Sequence, residues 1–292
     1  MRGEVIILDG ALGTELSRRG IPTPLPLWSA QALLDSPDAV RSIHEEYAGA
    51  GADILTACTF RATPRALAKA GKAAEVDRLV GRAVALAREA AEKRRGSRDV
   101  MVAGALAPLE DCYRPDLAPE PAQAEREHAE QVIRLARAGV DLILIETMNT
   151  VAEARAAVRG AKPSGLPIMV SFICASGKTL LSGESLADAA SALEPFDPDV
   201  VLVNCVPPAM ATACLEELAR ATRAPTGCYP NVGQPDMAAG TWSFDPEWTP
   251  ERFAGAAAKW VARGAQVIGG CCGTSPDHIR ALRAALPPVL VE

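Results

Sequence analysis

Three cysteines are the residues of this chain best placed to do chemistry: Cys205 in VLVNCVPP, and the adjacent Cys271 and Cys272 in VIGGCCGTSP. Each follows a short apolar run. If those runs are parallel strands of one barrel, all three thiols project from the same rim, where such barrels carry their active sites. Thiolate donors suit zinc. Three protein ligands leave one coordination position open, which marks a catalytic rather than a structural zinc. A ligand thiol entering that position would lose its proton at neutral pH and stay nucleophilic, as attack on an alkyl carbon requires. Neighbouring side chains on a regular strand point to opposite faces. The backbone must therefore turn at residues 271–272, and Gly269, Gly270 and Gly273 supply the freedom to do so. Buried cysteine as a small hydrophobe is the competing explanation; a third cysteine ending a different run weighs against it.

Two carboxylates fall at equivalent places. Asp9 follows the first apolar run and Glu146 the fourth. Aimed into one rim, the pair would suit an ammonium group, such as that of an amino acid. His44, His128 and His278 fall within helical patterns away from the rim and read as packing or surface residues. Cys58, Cys174 and Cys228 lie near strand ends and read as core or cavity lining, whereas Cys112 and Cys214 suggest no role. GALGTE lacks the full glycine spacing of a dinucleotide loop.

The elements that must position these groups alternate strand and helix. Residues 5–8, 53–56, 100–106, 141–146, 168–172, 200–204, 226–229 and 266–269 read as strands. Residues 37–49, 64–94, 121–138, 151–159, 185–193, 209–221, 250–263 and 276–285 read as helices. Eight of each predict one (β/α)8 TIM barrel of class α/β, spanning residues 1–292 as a single domain. A doubly wound open sheet is the alternative. AGAGAD, ARAGVD and VARGAQ repeat one helix-stop, strand-start unit, with Gly49, Gly51, Gly139 and Gly264 as its stops. Residues 18–35 and 230–250 are longer than a connection needs. They carry Trp28, Trp242, Phe244 and Trp248, and should hang over the catalytic rim.

Composition bounds the rest. The core must be aliphatic, because aromatics are only 4% of 292 residues. A net charge of −6 argues against a nucleic-acid partner, which requires a clustered basic face. KRRGSR at 93–98 is the one basic cluster and reads as a solvated helix end. No apolar run is long enough for a membrane span, and no cleaved leader is visible. The expectation is a cytoplasmic protein, monomeric or weakly self-associating, whose clustered thiols serve metal or catalysis rather than disulfides.

The residues also resemble a known family, the zinc-dependent homocysteine S-methyltransferases. LDGALGTEL (8–16), PLWSAQAL (26–33), GADILTACTFRATP (51–64), LIETM (144–148), SGESL (182–186), VNCVPP (203–208), YPNVGQ (229–234) and GGCCGTSPDHI (269–279) carry the likeness. It implies a (β/α)8 barrel in which Cys205, Cys271 and Cys272 hold Zn(2+) and Zn(2+) takes the homocysteine thiol. It also implies that Asp9 and Glu146 hold the homocysteine amino group. Trp28 would contact an onium donor, with Phe60, Thr59 and Asn204 beside the substrates. The phrases PLWSAQAL and FRATP most resemble members that use a sulfonium donor, S-methylmethionine or S-adenosylmethionine. Betaine, a methyl-corrinoid or folate donor, and a barrel that binds homocysteine and zinc without turnover are the alternatives.

Overall fold

A computed structural model describes residues 5–94, 99–236 and 241–286. Residues 95–98 of the basic cluster lie outside this set. Eight parallel strands form one sheet: Ile6–Ile7, Ile54–Ala57, Met101–Leu106, Leu142–Met148, Ile168–Phe172, Val200–Asn204, Thr226–Tyr229 and Val267–Ile268. Each from the second to the seventh pairs with its successor, and the first pairs with the eighth, itself paired with the seventh. A bridge between Leu8 and Ile54 closes the ring. There the Asp9 N–H donates to the Ile54 carbonyl at 3.0 Å and the Asp53 N–H to that of Ile7 at 2.7 Å. The predicted (β/α)8 barrel is the observed fold, and the open sheet is excluded by this closure.

Strand alternation divides the core in two. Leu8, Ile54, Leu142, Leu144, Val200, Leu202 and Val267 fill the barrel interior. Their neighbours Ile7, Ile143, Ile145, Val201, Val203 and Ile268 pack outward against the helices. At the lower rim one device recurs. Asp53, Asp141 and Asp199 each stand just before a strand, and each carboxylate accepts the first free N–H of an adjacent strand, at Ile7, Val102 and Ile168 (2.7–2.8 Å). The helix stops at Gly51, Gly139 and Gly264 adopt the left-handed conformation. Gly49 instead lies inside the helix Pro37–Ala50.

Three elements depart from the sequence-based expectation. The helix predicted over 64–94 is two, Pro64–Lys69 and Val76–Glu92, separated at left-handed Gly71 and a 3-10 turn. The segment 18–35 is not a plain loop: a helix Gly13–Arg18 runs into it, and a 3-10 turn Trp28–Gln31 and a short helix Ala32–Asp35 follow. The long segment after the seventh strand holds an antiparallel hairpin, Gly233–Asp236 with Thr241–Phe244. Among the described residues no helix is long and apolar enough to cross a membrane.

The barrel is tightest where the seventh and eighth strands meet. A Cβ on Gly227 would lie 1.9 Å from the Val267 carbonyl oxygen, which is backbone and cannot swing aside. Gly227→Ala is therefore expected to destabilise the protein by about 3 kcal/mol. Urea unfolding followed by far-UV circular dichroism measures this, and an unchanged midpoint would contradict it.

Candidate metal and substrate site

The upper rim brings the three cysteines together. Cys205 follows directly on the sixth strand, and Cys271 and Cys272 follow the eighth by a few residues. Their sulfurs all lie within 4.8 Å of one another, with Cys205 Sγ 3.2 Å from Cys271 Sγ. Among the described residues no other group of His, Cys, Asp and Glu side chains clusters this way. Two backbone turns achieve it. Cys205 sits at φ 54°, a left-handed conformation that ordinary residues avoid, which swings its side chain off the strand direction. After Cys272 the chain turns at Gly273 (φ 89°), and the Gly273 N–H donates to Thr14 Oγ1 at 2.9 Å.

The cluster is electrostatically asymmetric. Hydrogen bonds from the Cys205 and Cys272 thiols hold the Cys271 thiol well below the ordinary range. The same contact with Cys271 pushes Cys205 up. The thiolate is thus favoured at Cys271 over Cys205, and a soft divalent cation would draw protons from the thiols. The donor set fits zinc: three sulfur ligands, close-set and partly buried, all lining one cavity.

Strand alternation also delivers the carboxylates. Leu142 and Leu144 point into the barrel, so Glu146, two further on, does too. Glu146 is buried and accepts from the Tyr229 hydroxyl at 3.2 Å. Burial, and then the charge on Cys271, raise its pKa to about 8, against the opposing Tyr229 hydrogen bond. Asp9 is likewise buried, and each of its oxygens accepts from Thr56, Oδ2 from the N–H at 2.7 Å and Oδ1 from the hydroxyl at 2.9 Å. Burial raises Asp9 to about 7, with the Thr56 hydrogen bonds opposing. Both acids and all three cysteines line one cavity of about 840 Å³. Two buried carboxylates kept short of full ionisation are poised to take up a cationic ligand.

The other residues singled out from sequence separate into two groups. Trp28 and Phe60 line the cavity and meet edge to face, with ring centroids 6.0 Å apart. Thr59 and Asn204 are fully buried and are not among the residues lining it. The Thr59 hydroxyl donates to the Ala105 carbonyl at 2.9 Å. Asn204 braces the floor of the site. Its amide donates to Thr147 Oγ1 at 2.9 Å, and its carbonyl accepts from Ser171 Oγ at 2.7 Å and from the Thr147 N–H at 3.2 Å. Thr147 itself is left-handed at φ 64°, so this clamp holds the unusual turn directly after Glu146.

Sequence reasoning missed several lining residues. Tyr229 was read only as the end of a strand. Asp111 and Tyr113 lie in the long connection after the third strand, where no spacing pattern marks them. Tyr113 stands close enough to the cluster that charge on Cys205, with burial second, raises its hydroxyl pKa. Trp242 and Phe244, on the hairpin's second strand, also line the cavity, and the Arg18 guanidinium lies 4.8 Å over the Phe244 ring. The three histidines are buried away from this cavity. His44 has both ring nitrogens without a partner among the described residues, so burial lowers its pKa to about 4. His128 meets Glu153 at 3.2 Å, and His278 meets the Trp248 carbonyl at 3.0 Å.

A family model described as homocysteine S-methyltransferase matches residues 6–286. The homocysteine S-methyltransferase of Escherichia coli (strain K12) is 33% identical over 296 residues, which cover 96% of this chain and 95% of that protein. The selenocysteine methyltransferase of Astragalus bisulcatus is 30% identical, over 96% of this chain and 92% of that one. The crystal structure of the homocysteine methyltransferase MmuM from Escherichia coli, in its metallated form, matches with a TM-score of 0.85 at 30% identity, covering 97% of this chain and 96% of that chain.

Proposed function

The chain belongs to the homocysteine S-methyltransferase family, and from that premise we propose that it moves a methyl group from a sulfonium donor, S-methylmethionine or S-adenosylmethionine, to the thiol of homocysteine, giving methionine. The observation that carries the reading is one cavity holding three clustered cysteine sulfurs and two buried carboxylates.

Cys205, Cys271 and Cys272 would hold the metal, read as zinc from the thiolate donor set. Zinc, when bound, supplies a Lewis acid that keeps the acceptor thiol deprotonated at neutral pH. Asp9 and Glu146 take the homocysteine ammonium and so fix the direction from which its sulfur enters the cavity. Ammonium binding also returns both acids to the ionised form, because an opposite charge offsets the burial that raised them. Trp28 and Phe60 offer ring faces to the donor cation, an attraction of ~0.5–2 kcal/mol. Tyr113, Trp242 and Phe244 add aromatic surface to the cavity wall.

The acceptor sulfur forms a bond to the methyl carbon as that carbon's bond to the sulfonium sulfur breaks. The bonding pair stays on the donor, which departs as a neutral thioether. No proton is needed by the leaving group, so the site requires no general acid. The protein's contribution is alignment of the two sulfurs.

Assay of the zinc-loaded protein with homocysteine and, in turn, S-methylmethionine, S-adenosylmethionine, betaine and methylcobalamin tests the reading. Methionine should form from the sulfonium donors. Turnover with betaine or methylcobalamin alone would contradict the proposal. Selenocysteine is included as a second acceptor, because the Astragalus relative is named for it and a selenol is an equally soft nucleophile.

A further inference from the structure

Two cations line the described part of the cavity, and their situations differ. Arg18 is committed: it pairs with Glu15, donates to the Gly273 carbonyl at 2.8 Å and stacks on Phe244. Arg61 is not. Its guanidinium lies 5.7 Å over the Phe60 ring and makes one hydrogen bond, to the Glu110 carbonyl at 3.3 Å. It forms no ion pair with any described residue, and most of its five donors are unused. The next residue after Glu110 is Asp111, which also lines the cavity. Asp111 accepts from the Tyr113 N–H at 2.9 Å and forms no ion pair either. The nearby cation Arg114 pairs with Asp116 and feels the charge of Asp111 only as a lesser influence. Beside the aromatic pair, then, one positive and one negative side chain face the same cavity without neutralising each other. Both groups are thus available to meet opposite charges on a ligand.

A lone arginine here would be adverse to the chemistry proposed above. It places a positive charge next to the rings that are to receive a positive sulfonium, and like charges repel across a poorly solvated cavity. The conflict disappears if the donor carries a carboxylate a few bonds from its sulfonium. The remaining charge, an ammonium on the same carbon, would find Asp111. Asp9 and Glu146 are occupied with the acceptor's ammonium, so the cavity holds two separate acidic stations for two amino-acid heads.

We propose that Arg61 and Asp111 form a donor-head subsite that selects a sulfonium bearing a free α-amino-acid group. Arg61 takes the carboxylate, its planar fork suited to two parallel hydrogen bonds. Asp111 takes the ammonium, and Phe60, which lines the same cavity beside Arg61, offers a ring to the sulfonium. The inference rests on the sulfonium reading given under Proposed function and deepens it. S-methylmethionine and S-adenosylmethionine both carry this head, whereas trimethylsulfonium carries the cation alone.

The test compares these three donors, with homocysteine, on zinc-loaded wild type, Arg61→Gln, Arg61→Lys and Asp111→Asn. Wild type should strongly prefer the head-bearing donors. Arg61→Gln should lower kcat/KM for them by about 10- to 100-fold, mostly through KM, since a charged hydrogen-bonding partner is lost. Transfer from trimethylsulfonium should rise in the same variant, because a repelling cation has gone. A merely structural role for Arg61 cannot produce that opposite movement. Arg61→Lys should restore part of the loss, and Asp111→Asn should weaken the head-bearing donors alone. The KM for homocysteine and the zinc content should not follow these changes. The better of the two head-bearing donors identifies the one used. Transfer from all three donors without preference, or an equal fall for all in Arg61→Gln, overturns the subsite and leaves sulfonium chemistry standing. No transfer from any of them, with zinc and homocysteine bound, overturns both.

Discussion

Replacing Cys205 with alanine is expected to strip the metal from the protein and lower methyl transfer by about 10³-fold or more, with the barrel still folded. The three parts of that result have separate causes. Two sulfurs cannot hold a labile divalent ion as three do, and the side chains nearest the cluster offer no replacement: Asn204 is neutral and its amide is already engaged. The acceptor thiol then keeps its proton at neutral pH, and its nucleophilicity falls accordingly. The fold survives because Cys205 is a partly exposed rim residue whose sulfur contacts the cluster rather than the core. Alanine also meets the same left-handed φ of 54° as cysteine does, so no new backbone strain enters. Zinc content by atomic emission, activity and the melting temperature of metal-free protein distinguish these effects. Cys271→Ala and Cys272→Ala should behave alike. Full activity in a zinc-free triple variant would end the mechanism.

Much of this site is legible in the chain because barrel geometry converts sequence position into spatial position. A strand's closing residues and the few that follow them emerge at the upper rim, whichever strand they belong to. That is why Cys205 and Cys271, 66 positions apart, have sulfurs in contact, and why Asp9 and Glu146 reach the same cavity. The parity of each strand is equally readable: Leu142 and Leu144 inside fix Glu146 inside. The same parity turns Asn204 inward, into a buried hydrogen-bond network. Its amide is consumed by Thr147 and Ser171, and that depends on the neighbouring strands' register, which no local pattern encodes.

What escaped the sequence lies in connections, where periodicity gives no purchase. The hairpin Gly233–Asp236 with Thr241–Phe244 is short and contains Pro235, which lowers its strand signal. Helix Gly13–Arg18 begins at a glycine, with Leu12 rather than a side-chain cap before it. The break between Pro64–Lys69 and Val76–Glu92 depends on Gly71, one glycine inside a long Ala-rich stretch that propensity alone would continue. Asp111 is unremarkable as a residue type, and only its placement in one cavity with Arg61, the two forming no ion pair, makes it informative.

Glu146→Gln should produce two opposite effects in one protein: weaker homocysteine binding and a more stable metal-free fold. Glutamine keeps the shape and still accepts from Tyr229, but it cannot neutralise an ammonium. Loss of one charge-assisted contact should raise the homocysteine dissociation constant by about 10²-fold. The stability effect follows from the raised pKa. Below pH 4.5 the group is protonated in both folded and unfolded chains and contributes nothing. Between 4.5 and about 8 the unfolded chain gives up its proton while the folded chain keeps it, so stability falls as pH rises. By pH 8 and above, the accumulated cost reaches at most ~4–5 kcal/mol. The variant lacks this term, so its melting temperature should exceed that of wild type at pH 8 and converge with it near pH 4. Asp9, raised to about 7, leaves a smaller dependence of the same sign in both proteins. Calorimetric titration with homocysteine and melting curves from pH 4 to 9 measure the two effects. A variant that binds homocysteine as wild type does would remove Glu146 from the ammonium site. A variant less stable than wild type at pH 8 would show that the buried carboxylate is not the costly group described here.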